Sequence, residues 1–163
     1  MTAPTPLLLE ALQGSPIGAE LSSDERTVLA GLMALRSFGP QQLIGREGEV
    51  DDRLFVVVGG ALGVIKSAGT AGETLLTTLH AGDLAHELGF LDGTPRYASL
   101  VAAENSRVLE IRRVDLESLI ESHPRILYAV MCAIVRAVHR VQTRLSIQAT
   151  ELTNYVYKQH GRY

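Results

Sequence analysis

An acidic and a basic side chain with complementary chemistry lie nine residues apart in one glycine-rich segment. Glu87 carries a carboxylate that accepts hydrogen bonds from hydroxyl groups, and Arg96 carries a guanidinium that can bind phosphate oxygens in a bidentate geometry. Residues 87–91 between them form a short apolar stretch that predicts one turn of helix, whose free backbone amides favour an anion. If the chain turns so that both side chains reach one pocket, they suit a phosphate attached to a sugar.

Spacing alone leaves a simpler interpretation open, in which Glu87 and Arg96 form a surface salt bridge that braces a loop. A metal site of the cupin type would use His80, His86 and Glu87, but it needs two histidines separated by one residue, and none of the five histidines has that spacing. We therefore predict no metal and no cofactor. No pairing of a nucleophile with a base is present, so we predict no catalytic residues and no enzyme activity.

Short, evenly spaced apolar runs surround this segment between residues 41 and 113. They cover residues 42–44, 54–58, 61–66, 73–79, 98–102 and 107–111, and glycine-rich turns separate most of them. No run is long enough to bury the face of a helix, so the pattern predicts an antiparallel β sandwich or barrel.

Helical patterns precede and follow these strands. In the N-terminal segment 1–40, residues 6–13 predict a short helix, and Ser22 with Glu25 marks the start of a second one. The apolar face of the second helix is expected to include Leu29, Leu32, Met33 and Leu35. In the C-terminal segment 114–163, a short helix over 115–121 is followed by a long one over about 125–158.

The long helix carries an apolar seam with alternating steps of four and three residues. The seam consists of Leu127, Met131, Ile134, Val138, Val141, Leu145, Gln148, Leu152 and Tyr155. Such a helix would be about 50 Å long, which exceeds what a small β domain can cover. We predict a homodimer through this helix, with Gln148 fixing its register; the alternative is packing on its own domain only.

Charge and composition exclude other classes. The net charge is −3, which gives no reason to expect nucleic acid, although residues 125–163 hold six basic side chains and one acidic one. A basic helix of this kind is usually a solvated face. The single cysteine, Cys132, rules out a disulfide within the chain. We predict no signal peptide, no membrane span of about 18 apolar residues and a cytoplasmic location.

The segment around Glu87 and Arg96 resembles the phosphate-binding cassette of cyclic nucleotide-binding domains. Residues 82–99 keep the residues of the family signature at Gly82, Asp83, Glu87, Leu88, Gly89, Pro95, Arg96, Ala98 and Ser99. Residues 46–60 are similar to the early strands and turn of that family. The resemblance covers about residues 20–158, and its spacing looks like that of the regulatory subunits of cyclic-AMP-dependent protein kinase and of the bacterial catabolite activators.

This resemblance implies an α+β fold in which residues 41–113 form an antiparallel β jelly roll (double-stranded β-helix). It implies that Arg96 binds the exocyclic phosphate oxygens and that Glu87 accepts the ribose 2′-hydroxyl. The backbone amides of Leu88 and Ala98 would help to hold the phosphate. The remaining implied ligand contacts are Val64 and Leu76 on the apolar side of the pocket, with Gln142 and Thr143 of the long helix near the base.

Two residues of the segment depart from the family pattern. His86 replaces the glycine before Glu87, where an imidazole would crowd the ligand or, if protonated, donate to phosphate. Tyr97 stands where related proteins often carry Ser, Thr or Ala, and it would either donate from its hydroxyl or point to solvent. The choice between cyclic AMP and cyclic GMP stays open.

The resemblance implies a stand-alone sensor that binds cyclic AMP or cyclic GMP and signals through its dimer surface to a separate protein. The alternative is the same fold with a changed or lost ligand, either a cyclic dinucleotide binder or a nucleotide-free interaction module. In the activators a DNA-binding winged helix follows the long helix, whereas this sequence ends at Tyr163. We therefore do not expect direct DNA binding.

Overall fold

A computed structural model describes residues 4–160 and all their side chains except those of 144, 145 and 148–160. The elements in chain order are α1 (Pro6–Gln13), α2 (Ser23–Ala30), β1 (Ala34–Phe38), β2 (Leu43–Gly45), β3 (Arg53–Gly59), β4 (Ala61–Lys66), β5 (Thr74–His80), β6 (Leu84–Ala85), α3 (Glu87–Asp92), β7 (Ser99–Ala102), β8 (Ser106–Arg112), α4 (Arg113–Glu117) and α5 (Pro124–His160). The strands form two four-stranded antiparallel sheets, ordered β1-β8-β3-β6 and β2-β7-β4-β5. The predicted jelly-roll sandwich with flanking helices is confirmed.

The N-terminal helices begin where the sequence places them, but the second one ends earlier. The backbone amide of Ser22 donates to Glu25 Oε2 at 2.8 Å, and the amide of Glu25 donates to Ser22 Oγ at 3.3 Å, which forms a capping box. The expectation of a helical segment up to residue 40 was wrong at Ala34–Phe38, which forms β1. This segment pairs residue by residue with β8, with Leu35 opposite Leu109, and this pairing overrides the local helical pattern.

The core has two layers, and strand β3 contributes to both. Leu54 and Val56 face the helices, while Phe55 and Val57 face the space between the two sheets. Successive residues of a strand point to opposite faces, so the continuous apolar run of β3 is buried on both sides. The sandwich therefore encloses one apolar layer and is covered on its other side by α1, α2 and α5.

Helix α5 lies on the domain through its first turns and then extends beyond it. Its 37 residues correspond to a length of about 55 Å. The stripe packed on the domain consists of Ile126, Ala129, Val130, Ala133, Ile134 and Ala137. Among the described side chains of the helix, five large apolar ones remain exposed, namely Tyr128, Val135, Val138, Val141 and Ile147. At 3.6 residues per turn, Tyr128 and Val135 lie on the side of the helix opposite the packed stripe, whereas Val141 and Ile147 continue the line of that stripe further along the helix.

The predicted seam of α5 lies along one side of the helix, and its burial decreases along its length. Ile134 is buried in the domain, Leu127 and Met131 are half-buried, and Val138 and Val141 are exposed. The seam side chains Leu145, Gln148, Leu152 and Tyr155 lie outside the described side chains. Contrary to our expectation, Pro124–Thr143 is long and apolar enough to span a membrane by length and composition alone, and about one third of this stretch is buried in the domain.

Candidate functional site

The glycine-rich segment 82–99 forms one wall of an open cavity of about 270 Å³. Its lining is mostly apolar and includes one carboxylate and one guanidinium. The lining residues are Val64, Leu79, Leu84, Ala85, His86, Glu87, Leu88, Gly89, Thr94, Pro95, Arg96, Tyr97, Ala98, Ser99, Leu100 and Val141. This volume is close to the lower end, about 300 Å³, of the range for small-molecule sites, which also combine apolar walls with few polar groups.

Helix α3 is bounded at both ends by residues in the left-handed backbone conformation. His86 precedes the helix with φ of 69°, and Gly93 follows it with φ of 76°. Glycine adopts this conformation freely, whereas a histidine there is uncommon. The turn geometry explains why the resembling family carries glycine at the position of His86, and it fixes the direction in which Glu87 enters the cavity.

Arg96 is held rigidly in the interior. Its side chain is 3% exposed, and its Nη2 donates to Asp51 Oδ2 at 2.6 Å. Its backbone amide donates to the carbonyl of Glu49, and its carbonyl accepts from the amide of Gly48, each at 2.8 Å. Arg96 thus joins the end of segment 82–99 to the loop that precedes β3.

The guanidinium of Arg96 lies between Gly45 and the ring of Phe55. Its Cζ is 5.4 Å from the ring centroid, and a Cβ added to Gly45 would lie 2.5 Å from its Nε. Only glycine at position 45 leaves room for this arrangement. Among the described residues, Arg96 Nε is a buried donor without a hydrogen-bond partner. A buried donor of this kind costs free energy until an acceptor, such as a ligand oxygen, reaches it.

Asp51 carries the counter-charge and is shared between two arginines. Besides Arg96, it accepts hydrogen bonds from Arg53 Nε and Nη2 at 3.0–3.2 Å. Burial alone would raise the pKa of Asp51, but the hydrogen bonds from Arg53 and Arg96 outweigh burial and hold the pKa at about 2. Asp51 is therefore a carboxylate at any physiological pH.

Glu87 is in a different electrostatic environment. It is the first residue of α3, and burial raises the pKa of its carboxyl group above the usual 4.5, with the charge of Asp83 acting in the same direction. None of the ion pairs found among the described residues involves Glu87. The predicted alternative of a Glu87–Arg96 salt bridge is thus wrong, because Arg96 is bound to Asp51 instead.

Tyr97 lies at the rim of the cavity with its side chain 72% exposed. The ammonium of Lys66 is 4.2 Å from the centroid of its ring and donates to its carbonyl at 2.7 Å. Lys66 also pairs with Glu47 at 2.6 Å. Tyr97 is therefore held at the rim of the cavity, with its ring against Lys66.

The structure brings most of the predicted ligand-binding residues to one cavity. These are Val64, His86, Glu87, Leu88, Arg96, Tyr97 and Ala98. Leu76 is not among the lining residues; strand alternation places it on the opposite face of β5 from Leu79, which lines the cavity. Gln142 and Thr143 are exposed on α5 and do not line it either, whereas the preceding Val141 does.

Sequence reasoning did not identify Asp51, Leu79 or Val141 as parts of the site. Asp51 lies 45 residues before Arg96, and no local pattern marks it as the partner of that arginine. Leu79 would have followed from the register of β5 against β4, in which Leu79 lies opposite Leu62. Within the described residues, no group of three or more His, Cys, Asp or Glu side chains is placed to hold a metal.

A jelly-roll sandwich with a short helix and a buried arginine between β6 and β7, followed by a long C-terminal helix, defines a class of ligand-binding regulatory domain. The sequence matches the family model of the cyclic nucleotide-binding domain over residues 35–123, more than half of the chain. The chain belongs to the cyclic nucleotide-binding domain family.

Individual relatives agree with this assignment. The CRP-like cAMP-activated global transcriptional regulator of Mycobacterium tuberculosis is 29% identical over 114 residues, which cover 69% of this chain and 51% of the regulator. The chain thus spans about half the length of this relative. A cyclic nucleotide-binding domain from Methylobacillus flagellatus KT superposes with a TM-score of 0.73 at 23% identity, covering 87% of this chain and 79% of that domain.

A third similar protein carries a different description of its ligand. The regulatory subunit of a cAMP-independent protein kinase A from Trypanosoma brucei superposes with a TM-score of 0.66 at 22% identity. The match covers 84% of this chain and 50% of that subunit. The likeness to the solved structures concerns the fold, and proteins of this fold include at least one described as independent of cyclic AMP.

Proposed function

We propose that this chain is a sensor module that binds a cyclic nucleotide in the cavity beside Arg96. The single observation that carries the proposal is the buried guanidinium in the cavity wall, whose Nε has no partner among the described residues. The guanidinium would have to turn toward the cavity on binding, and a phosphate oxygen would then supply the missing acceptor. A charge-assisted hydrogen bond of this type is stronger than a neutral one and is well suited to hold a phosphate.

The other lining residues suit the remaining parts of a cyclic nucleotide. The Glu87 carboxylate faces the cavity without an ion-pair partner and would accept the ribose 2′-hydroxyl. Backbone amides of Leu88 and Ala98 lie in the same wall and would bind phosphate oxygens. The apolar side formed by Val64 and Leu79 would cover the base. We propose cyclic AMP as the first ligand to test, because the M. tuberculosis relative is described as cAMP-activated.

We further propose that the module is a cytoplasmic homodimer that acts on a separate protein. The support is the uncovered apolar side of α5, where Val135 is 67% exposed and Tyr128 is 71% exposed. A second copy of the same helix would bury this side in a two-fold interface. Because Val141 of α5 also lines the cavity, a ligand that contacts it would influence the position of the helix.

A changed ligand is the second candidate, and one observation favours it. The Arg96 guanidinium is already paired with Asp51 at 2.6 Å, and Asp51 is also bound by Arg53, so the charge next to the phosphate position is partly neutralised. A ligand with a weaker anionic group, or one larger than a cyclic mononucleotide, would then occupy the cavity in place of cyclic AMP or cyclic GMP. The T. brucei subunit provides a precedent for this fold without dependence on cyclic AMP.

Isothermal titration calorimetry with cyclic AMP, cyclic GMP and a cyclic dinucleotide distinguishes these candidates. The sensor function predicts saturable heat with a cyclic mononucleotide and an affinity about 10- to 150-fold lower for Arg96→Gln, which corresponds to losing hydrogen bonds from a charged group. Arg36→Gln is the matched control, because Arg36 is an exposed arginine of β1 that does not line the cavity. Binding of the dinucleotide alone would support the second candidate, and no heat with any nucleotide would refute the sensor function.

A further inference from the structure

The imidazole of His86 lies against α3 instead of filling the cavity. A Cβ added to Gly89 would lie 2.0 Å from His86 Cε1 and 2.3 Å from His86 Nε2, so the ring occupies the space that opens above this glycine. The presence of His86 and the absence of a side chain at residue 89 therefore depend on each other. Any residue larger than glycine at position 89 would displace the imidazole.

The ring of His86 also contacts a distant part of the chain. Its Nε2 is 3.0 Å from the backbone carbonyl of Asp51. A carbonyl oxygen can only accept a hydrogen bond, so Nε2 must carry the proton. This bond connects the residue before α3 to the loop before β3, across 35 positions of sequence.

Asp51 therefore binds two residues of segment 82–99, His86 and Arg96. Its carbonyl accepts from His86 at the start of α3, and its carboxylate accepts from Arg96, ten residues later in the chain. The start of α3 orients Glu87, and the carboxylate orients the guanidinium. The distance between the two groups proposed to bind ribose and phosphate is therefore set through one residue outside the cassette.

We propose that His86 is a positioning residue that connects α3 to Asp51 and so fixes Glu87 relative to Arg96. This inference rests on the proposed function, because Glu87 and Arg96 are the proposed ligand contacts. The imidazole acts through its bond to the Asp51 carbonyl, without touching the phosphate. In this chain, the left-handed turn before α3 thus provides a connection that a glycine at the same position cannot provide.

Three variants test the proposal: His86→Gly, Gly89→Ala and the double variant. Glycine adopts the positive φ of residue 86 without strain, so His86→Gly should fold. Loss of one hydrogen bond is expected to reduce nucleotide affinity about three- to tenfold. Gly89→Ala should lower the urea midpoint of unfolding because its Cβ meets the imidazole, and adding His86→Gly should restore it. Unchanged or tighter nucleotide binding by His86→Gly would overturn the positioning role.

Amide hydrogen exchange distinguishes a role of His86 through its bond to Asp51 from a role in packing against α3 alone. The measurement needs no ligand. The backbone amide of Arg96 donates to the carbonyl of Glu49, and the amide of Gly48 donates to the carbonyl of Arg96. Both bonds connect the end of segment 82–99 to the loop that contains Asp51. The proposal expects faster exchange at these amides in His86→Gly, whereas a residue that only fills space would affect α3 alone. Nitrogen-15 spectra of the wild-type imidazole should show the Nε2–H tautomer. Unchanged exchange at Arg96 and Gly48, or the Nδ1–H tautomer, would refute the connection even if the protein binds no nucleotide.

The charged groups around the imidazole determine the pH range in which His86 is neutral. Burial and the charge of Arg96 lower the pKa of His86, Asp51 opposes this, and Arg53 adds to it. The ring is thus neutral at neutral pH, and the comparison of variants should be made at pH 7.5 or above. If wild type binds no nucleotide while the exchange and tautomer results are as expected, the proposed function fails and the connection stands.

Discussion

Replacing Asp51 by asparagine tests the electrostatic arrangement of the site most directly. The change keeps the shape of the side chain and removes its charge. Arg96, which is 3% exposed, would keep a hydrogen-bond acceptor but lose its buried counter-ion. The reverse change, Arg96→Gln, leaves Asp51 bound to Arg53. Both variants therefore break the Asp51–Arg96 ion pair. Asp51→Asn leaves the buried charge of Arg96 without a counter-ion, whereas Arg96→Gln leaves Asp51 paired with Arg53.

The burial of this ion pair gives the expected loss in the free energy of unfolding for each variant. Removing one partner of a buried ion pair costs about 3–5 kcal/mol when the other charge stays buried, and a retained hydrogen bond reduces this to about 2–4 kcal/mol. The fall of the Asp51 pKa from 3.8 to about 2 corresponds to about 2 kcal/mol, which agrees with the lower end of this range because the Asp51 side chain is only 8% exposed. For Arg96→Gln we expect about 1–2 kcal/mol, because no buried charge is left unpaired.

Urea unfolding followed by circular dichroism, at fixed protein concentration and without nucleotide, measures both losses. With a slope of about 2 kcal/mol per molar urea, Asp51→Asn should unfold about 1–2 M earlier than wild type and earlier than Arg96→Gln. Equal midpoints for the two variants, or a lower one for Arg96→Gln, would refute the asymmetry.

Acid provides the control for this argument. The stability from Asp51 is present above its unfolded pKa of 3.8 and is lost as the pH falls through its native pKa of about 2. The midpoint of wild type should therefore approach that of Asp51→Asn as the pH falls from about 5 to about 2. A difference that stays constant over this range would show that the charge of Asp51 is not its source.

Two further predictions concern Glu87 and α5. Burial raises the pKa of the Glu87 carboxyl group above the ordinary 4.5, and hydroxyl donors from a ligand would lower it again. Nucleotide binding should therefore release protons. The affinity for the nucleotide should also increase as the pH rises from 4.5 through the raised pKa. Calorimetry in buffers of different ionisation enthalpy measures this release, and Glu87→Gln should abolish it; equal release by Glu87→Gln would exclude Glu87 as its source. If the proposed dimer forms through the uncovered side of α5, Val135→Asp should give monomers or aggregates in light scattering, whereas Val114→Asp, on α4 and 52% exposed, serves as the matched control. A stable Val135→Asp dimer would contradict an interface on the uncovered side of α5.

Much of this fold follows from local patterns. The strands of the sandwich appear as short apolar runs between glycine-rich turns, and six of the eight were predicted from these runs, because the alternation of a strand is written in neighbouring residues. The missed strands β1 and β6 contain five and two residues. Strand β1 exists because it pairs with β8, and β6 because it pairs with β3, so neither has a sufficient local signal.

The site divides in the same way. The cassette residues Glu87 and Arg96 could be predicted because they lie in one continuous segment with a recognisable spacing. The long helix could also be predicted, but its orientation could not, since the sides of α5 that face the domain and the solvent depend on what the sheet and α2 cover. Ile134 belongs to the predicted seam and is nevertheless buried in its own domain.

The sequence by itself determined the class of fold, the position of the cassette and the two charged residues, Glu87 and Arg96, that line the cavity, because each depends on side chains close together in the chain. Only the tertiary structure decided that Arg96 pairs with Asp51, that His86 bonds to the carbonyl of the same residue, and that Tyr97 packs against Lys66 at the rim of the cavity. These contacts join positions between 31 and 45 residues apart. Their geometry is set by sheet register and loop packing, which no local pattern encodes.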